Sequence, residues 1–266
     1  MELKTYELAY LPSEANESVV QTLLGNIKFE AFFAKKSDVN KLVVMFPGAI
    51  DRSKLSPPVY HRWSWHKRIH ANVVVINDPT LYLADHLRIG WLVGTKDENY
   101  LKLAKEFLLD IIKKIFPATD EVCFYSSSAG GFMALQMAAE FPLKSKVLVN
   151  NCQTNILKYH KGHVKHFTDL CFPEMTHSDI ENIYGERVSL IKRYENCTLP
   201  RTVYLQSVSD VFHLNNHCLP FIQSLGNDSI DNHSNLTVQF YRDDERGHGP
   251  LDQEKSLAAL HKLLQE

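Results

Sequence analysis

Six small residues in a row, Ser126-Ser127-Ser128-Ala129-Gly130-Gly131, constrain the fold of this 266-residue chain more than any other stretch. Before them runs Glu121-Val122-Cys123-Phe124-Tyr125, whose apolar centre predicts a buried strand. After them, Phe132-Met133-Ala134-Leu135-Gln136-Met137-Ala138-Ala139 reads as a helix. A strand that enters a helix through so few residues turns sharply, and only small side chains fit inside the turn. The serine at the apex is then lifted clear of the sheet in a strained conformation, the geometry of a nucleophile elbow. The pattern is small-x-Ser-x-Gly, with Ser126 in place of the first glycine, and Ser128 is the expected nucleophile. A Ser/Gly-rich loop without chemistry is the competing reading. A phosphate-binding turn lacks its Walker lysine and its Gly-x-Gly-x-x-Gly spacing.

Short apolar runs alternate with helical patterns on both sides of this turn. Strands are expected at Asn26–Ala34, Lys41–Phe46, Asn72–Asn77, Lys146–Asn150, Arg201–Ser207 and Leu236–Tyr241. Helices are expected from Tyr100 to Phe116, closed by Pro117, and from Asp252 to Leu264. Such alternation implies one α/β domain over residues 1–266, a mostly parallel sheet with helices on both faces. Between 152 and 197 the alternation stops in a polar stretch rich in histidine and aromatics. That insertion is expected over the carboxyl ends of the strands, as a cap or part of a substrate wall. The only loose low-complexity run is Asn227–Asn235.

Composition narrows the class. Hydrophobic content of 44% and charged content of 23% are ordinary for a globular protein, and a net charge of −2 argues against nucleic acid as the main partner. Met1-Glu2-Leu3-Lys4-Thr5-Tyr6 has no basic segment leading into an apolar core, and no run reaches membrane-spanning length. Five scattered cysteines without C-x-x-C spacing fit reduced thiols, so a cytoplasmic location is expected. Triplets such as Asn232-His233-Ser234 then carry no glycan.

A serine hydroxyl needs a base beside it, and the base needs an orienting acid. His248, between Gly247 and Gly249 just before the last helix, is the expected base, and Asp210, just past the strand Arg201–Ser207, the expected acid. Asp243 and Asp244 are alternatives for the acid, and His213 and His217 are expected on a surface helix, with a place lining the site as the alternative. A tetrahedral oxyanion needs N–H donors. One is the backbone N–H of Ala129, and the other is that of Gly48 or Ala49, in the loop Phe46-Pro47-Gly48-Ala49.

With Ser128, Asp210 and His248 in the order nucleophile, acid and base, the Ser-Ser-Ala-Gly-Gly elbow, the Phe-Pro-Gly-Ala loop and the Gly-His-Gly-Pro turn resemble the α/β-hydrolase superfamily over nearly the whole chain. Within it, Phe46-Pro47-Gly48-Ala49, Trp63-Ser64-Trp65, Asn77-Asp78-Pro79-Thr80 and Gly90-Trp91 resemble the capsule O-acetyltransferases of the meningococcal type. The resemblance implies acetyl transfer from acetyl-CoA to a hydroxyl of a bacterial surface polysaccharide, through an acyl-enzyme and without a tightly bound cofactor. A carboxylesterase or deacetylase of acylated carbohydrate is the alternative, and a non-catalytic binding protein a third reading.

Arg62, Trp63, Trp65, Lys67 and Arg68 follow the Phe46–Ala49 loop and are the candidate substrate contacts. Aromatic planes stack on sugars or adenine, and cations bind phosphate, as a phosphorylated acceptor or coenzyme A would require. A solvated basic loop that packs its tryptophans into the core accounts for the same residues. His160, His163 and His166 recur at steps of three, but the interleaved Lys158, Lys161 and Lys165 repel a cation, so no metal is expected. Trp91 is expected in the core.

Overall fold

A computed structural model describes residues 3–225 and 234–266. The Asn227–Asn235 run, apart from its last two residues, and most of the Asn232-His233-Ser234 triplet lie outside them. Nine strands form a single sheet: β1 (Thr5–Glu7), β2 (Glu17–Leu24), β3 (Ile27–Ala34), β4 (Lys41–Met45), β5 (Asn72–Ile76), β6 (Glu121–Ser127), β7 (Lys144–Asn150), β8 (Arg201–Ser207) and β9 (Leu236–Tyr241). Their order is β1-β2-β3-β5-β4-β6-β7-β8-β9. Only β2–β3 and β3–β5 pair antiparallel.

The central strands are continuous apolar runs because both faces of the sheet are covered. In β4, Leu42 and Val44 face one core while Val43 and Met45 face the other. Val122 and Phe124 of β6 likewise oppose Cys123 and Tyr125. The first core takes in α1 (Tyr100–Ile115) and α2 (Ala129–Glu140). The second is closed by the last helix, Gln253–Gln265, through Leu257, Leu260, Leu263 and Leu264. Helix α1 starts at an Asn99 side chain that accepts from the N–H groups of Leu101 and Lys102.

Two parts of the chain differ from the sequence expectation. The edge pair β1–β2 was not anticipated, and β2 turns into β3 through Gly25 at φ 61°. Residues 152–197 are mainly helical: α3 (Lys161–Cys171), α4 (His177–Val188) and α5 (Leu190–Tyr194). Thr176 and Asp179 form a reciprocal capping box at the start of α4, a signal present in the sequence as Thr-x-x-Asp. Among the described residues, no helix is long and apolar enough to cross a membrane.

Topology decides where loops meet. Strand β4 has β5 on one side and β6 on the other, so the chain leaves β4 in one direction and returns on the opposite side. At such a switch point the loops after neighbouring strands part and leave a crevice. The loop after β4 therefore lies beside the turn after β6, and the contact is close. Ser126 Oγ accepts from the Phe46 N–H at 2.8 Å, and a Cβ on Gly130 would stand 2.7 Å from the Phe46 carbonyl oxygen. Because backbone, not a flexible side chain, occupies that space, Gly130→Ala is expected to cost about 1–3 kcal/mol. Urea denaturation checks this through a lower midpoint at unchanged slope, and a wild-type midpoint would contradict it.

Candidate active site

Ser128 occupies φ 54°, ψ −124° between β6 and α2, a conformation that a side chain rarely adopts. Its Oγ lies 3.0 Å from His248 Nε2, and His248 Nδ1 lies 2.6 Å from Asp210 Oδ2. The carboxylate can only accept, so Nδ1 carries the proton and Nε2 is left to accept from the serine hydroxyl. The Asp210 side chain is 5% exposed and that of His248 42%. The structure brings Ser128, His248 and Asp210 into one hydrogen-bonded line. Asp243 and Asp244 stand apart from it, paired with Arg246 and with Arg242 and Ser209.

Asp210 carries a second histidine. His213, expected on the surface, is 2% exposed, with Nδ1 3.1 Å from Asp210 Oδ1 and its backbone N–H bonded to the same oxygen. Its ring stacks on His248 with centroids 4.0 Å apart. His217 is also fully buried and accepts the Thr154 N–H through Nδ1. The short turn Val211–His213 and the segment Leu214–Cys218 that continues it tuck both histidines under Tyr159, and Asp-x-x-His at a helix start was the available sequence signal for His213. Burial works to raise the Asp210 pKa, but hydrogen bonds from His213 and His248 outweigh it and hold the carboxyl well below its usual range.

The loop bearing His248 is fastened to the elbow by two asparagines that the sequence reading passed over. Asn150 accepts the Leu251 N–H at 2.8 Å, and its own carbonyl accepts the Ser128 N–H at 3.0 Å. Asn151, at φ 45°, donates to the carbonyls of His248 and Gly249 and accepts the Ser207 N–H. Gly247 is needed for its φ of 52°, since a Cβ there would meet nothing within 4 Å.

Around Ser128 a cleft of about 420 Å³ is lined by Gly48, Ala49, His61, Arg62, Ser127, Tyr159 and His248. Among the described residues the N–H groups of Ala129 and Ala49 form no hydrogen bond. The Gly48 N–H is already donated to His61 Nδ1 at 3.0 Å. Burial and the neighbouring Arg62 charge lower the His61 pKa to about 4, which keeps that nitrogen free to accept. Of the two loop positions expected as donors, Ala49 alone presents an unengaged N–H.

Of the five candidate substrate contacts, Arg62 alone lines the cleft. Its guanidinium lies over the rings of Trp65 and Tyr125, and its Nη2 donates to Ser127 Oγ at 2.7 Å. Trp65 backs Arg62 rather than facing the cleft. Trp63 packs on Phe32, and Arg68 reaches Glu254 and Gln253 of the last helix, while Lys67 is exposed. The placement of Trp63, Lys67 and Arg68 away from this cleft has a geometric cause. Trp63–Lys67 is a 3₁₀ helix, whose successive side chains point about 120° apart. The histidines at steps of three also do not converge: His160 stacks on Phe212, His163 on Tyr159, and His166 meets His86. Asp210, His213 and His248 are close enough to share an ion, but both Nδ1 atoms already face the carboxylate.

No family model matches the sequence, and no curated protein sequence matches it. Solved structures do resemble the fold. The capsule O-acetyltransferase of Neisseria meningitidis serogroup A superposes with a TM-score of 0.64 at 13% identity, over 92% of this chain and 97% of that one. A variant of that enzyme in complex with CoA gives 0.63 at 15% identity, over 97% and 98%. A putative esterase from Staphylococcus aureus gives 0.59 at 15%, over 97% and 86%. The chain has an α/β-hydrolase fold. In it Ser128 follows β6, Asp210 follows β8, and His248 follows β9.

Two histidines, the fully buried His217 and the partly buried His61, make the stability of the domain pH-dependent. Burial lowers the pKa of His61 to about 4 and that of His217 to about 3, from 6.5. As pH falls below 6.5, the unfolded chain takes up protons that the folded chain refuses. Stability is therefore lost between pH 6.5 and 4, by up to about 1.4 kcal/mol per pH unit for each histidine. Thermal melts from pH 7.5 to 4.5 are expected to show a falling Tm, with a shallower fall in His217→Gln. An unchanged Tm across that range would contradict the desolvation of these neutral rings.

Proposed function

We propose that the protein transfers an acyl group through an ester on Ser128, and that its acyl donor is acetyl-CoA and its acceptor a hydroxyl of a bacterial surface polysaccharide. The hydrogen-bonded line from Ser128 through His248 to Asp210 carries this reading. His248 Nε2 takes the hydroxyl proton as Oγ attacks the thioester carbonyl carbon. Asp210 holds the ring tautomer and favours the imidazolium that forms. The N–H groups of Ala129 and Ala49 receive the oxyanion. Collapse breaks the C–S bond, and His248 gives its proton to the departing thiolate. The acceptor hydroxyl then loses its proton to His248, attacks the acyl carbon, and Oγ leaves with that proton.

Acetyl transfer is favoured by the likeness to the capsule O-acetyltransferase, a structure of which contains CoA. Arg62 supports an anionic partner, because its guanidinium faces the cleft beside Ser127 and has no carboxylate partner among the described residues. Residues 152–197 act as a substrate wall, and Tyr159 is their contribution to the cleft. A second reading, an esterase of acylated carbohydrate, is favoured by the exposure of His248, which leaves water a path to the acyl-enzyme.

Intact-protein mass spectrometry after incubation with acetyl-CoA tests the reading. One acetyl adduct is expected on the wild type and none on Ser128→Ala. Failure to form an adduct, with Ser128-dependent hydrolysis of an acetate ester, would favour the esterase. His248→Ala is expected to abolish turnover, and Asp210→Asn to lower kcat by about 10³- to 10⁴-fold with the fold intact. Arg62→Ala is expected to raise KM for an anionic partner, whereas Lys67→Ala and Arg68→Ala leave it unchanged. Equal KM effects at all three positions would remove Arg62 from the site.

A further inference from the structure

Ser128 Oγ has a second hydrogen-bond partner besides His248. Gln153 Nε2 lies 3.2 Å from it. Gln153 follows β7, is fully buried, and donates its backbone N–H to the Ser128 carbonyl at 3.3 Å. Which end of its amide faces the serine is decided by the far side. Gln153 Oε1 lies 2.5 Å from Trp91 Nε1, and an indole N–H can only donate. The oxygen must therefore face Trp91, and the NH₂ group must face Ser128.

Trp91 is itself held in an uncommon way. Trp91 and Leu92 both have left-handed backbone, at φ 53° and 59°. The buried Asp78 carboxylate accepts the Leu92 N–H at 3.0 Å, and Thr80 Oγ1 accepts the Gly94 N–H at 3.2 Å. Gly90 has no room for a side chain, since a Cβ there would stand 2.4 Å from Thr80 Cβ. The loop thus aims the indole at Gln153, and Gln153 aims an N–H at the nucleophile.

Resting on the acyl-enzyme reading above, we propose that Gln153 is the hydrogen-bond donor to the ester oxygen of acyl-Ser128 and serves chiefly to break that ester, with Trp91 as its positioning residue. A donor accelerates a step only by what it gains between ground state and transition state. Before acylation, Oγ is a hydroxyl oxygen and already a fair acceptor, so the gain is small. In the acyl-enzyme, Oγ is an ester oxygen and a poor acceptor. As the C–Oγ bond breaks, the electron pair moves onto Oγ, which receives its proton from His248. The Gln153 N–H strengthens over that step, because charge builds on the atom it faces.

The test separates the two half-reactions, with p-nitrophenyl acetate as the probe. With enzyme in excess, p-nitrophenolate release gives the acylation rate. Decay of the acetyl adduct after rapid desalting, read by intact mass, gives the deacylation rate. Gln153→Met keeps the length and loses the donor; it is expected to slow deacylation roughly tenfold or more and acylation by no more than about threefold. Trp91→Phe leaves the amide but releases its orientation, and it is expected to slow deacylation in the same direction by less. In the Gln153→Met background, Trp91→Phe is expected to add nothing to the deacylation defect. Equal slowing of both half-reactions, or additive effects of the two changes, would overturn the role. If Gln153→Met does not fold, the Trp91→Phe rates decide: deacylation unchanged relative to acylation overturns the proposal. Absence of any Ser128 adduct in the wild type would sink the acyl-enzyme reading itself, an outcome distinct from an adduct that decays at the same rate in every variant.

Discussion

The close approach of the β6–α2 turn to the end of β4 is the constraint on which the site depends. Ser128 sits at positive φ, a conformation that costs of order 1–3 kcal/mol for a residue with a side chain. It persists because everything around it is filled. Helix α2 is buried from Ala129 to Ala138, Gly130 stands against the Phe46 carbonyl, and a Cβ on Gly131 would stand 2.9 Å from Cys152 Sγ. Relaxing the turn would push one of these backbones into another. The strain thus lifts the Ser128 hydroxyl out of the sheet and leaves the Ala129 N–H unpaired at the start of the helix.

Electrostatics then follows from burial. Asp210 is almost fully enclosed, yet its carboxyl is held ionised by donors from His213 and His248 and by the His213 backbone. A buried anion with that many donors is tolerated, whereas an unpaired one would be neutralised. Its partner ring, His248, is half open to solvent and rests on a loop tied down by Asn150 and Asn151. The enclosed carboxylate fixes the tautomer of the ring, and the ring is the solvent-accessible member of the pair.

Much of this was legible along the chain because it is written in local patterns. The run of small residues after an apolar strand located the elbow, and the apolar runs located seven of the strands to within a residue or two. The edge pair β1–β2 escaped because Glu17–Leu24 mixes polar and apolar residues on a strand covered only in part. The helices of residues 152–197 escaped because their polar faces outnumber their buried positions; α3 buries only Val164, Phe167, Thr168 and Cys171. Gln153 and Asn151 carry no sequence signal at all. Each is an ordinary amide whose importance lies in what another part of the chain brings to it.

The sequence by itself determined the elements, their alternation and the identity of the elbow, since propensity, hydrophobic period and the size of a side chain act over a few residues. Tertiary structure alone decided which groups face the cleft. His61 takes the Gly48 N–H and leaves that of Ala49. The 3₁₀ turn at Trp63–Lys67 directs Trp63 and Arg68 away from the site that Arg62 enters. Trp91, 62 residues before Gln153, settles which end of its amide meets Ser128 Oγ. Hydrogen bonds depend on ångström separations and on direction, and residues distant in the chain acquire both only when the sheet is assembled.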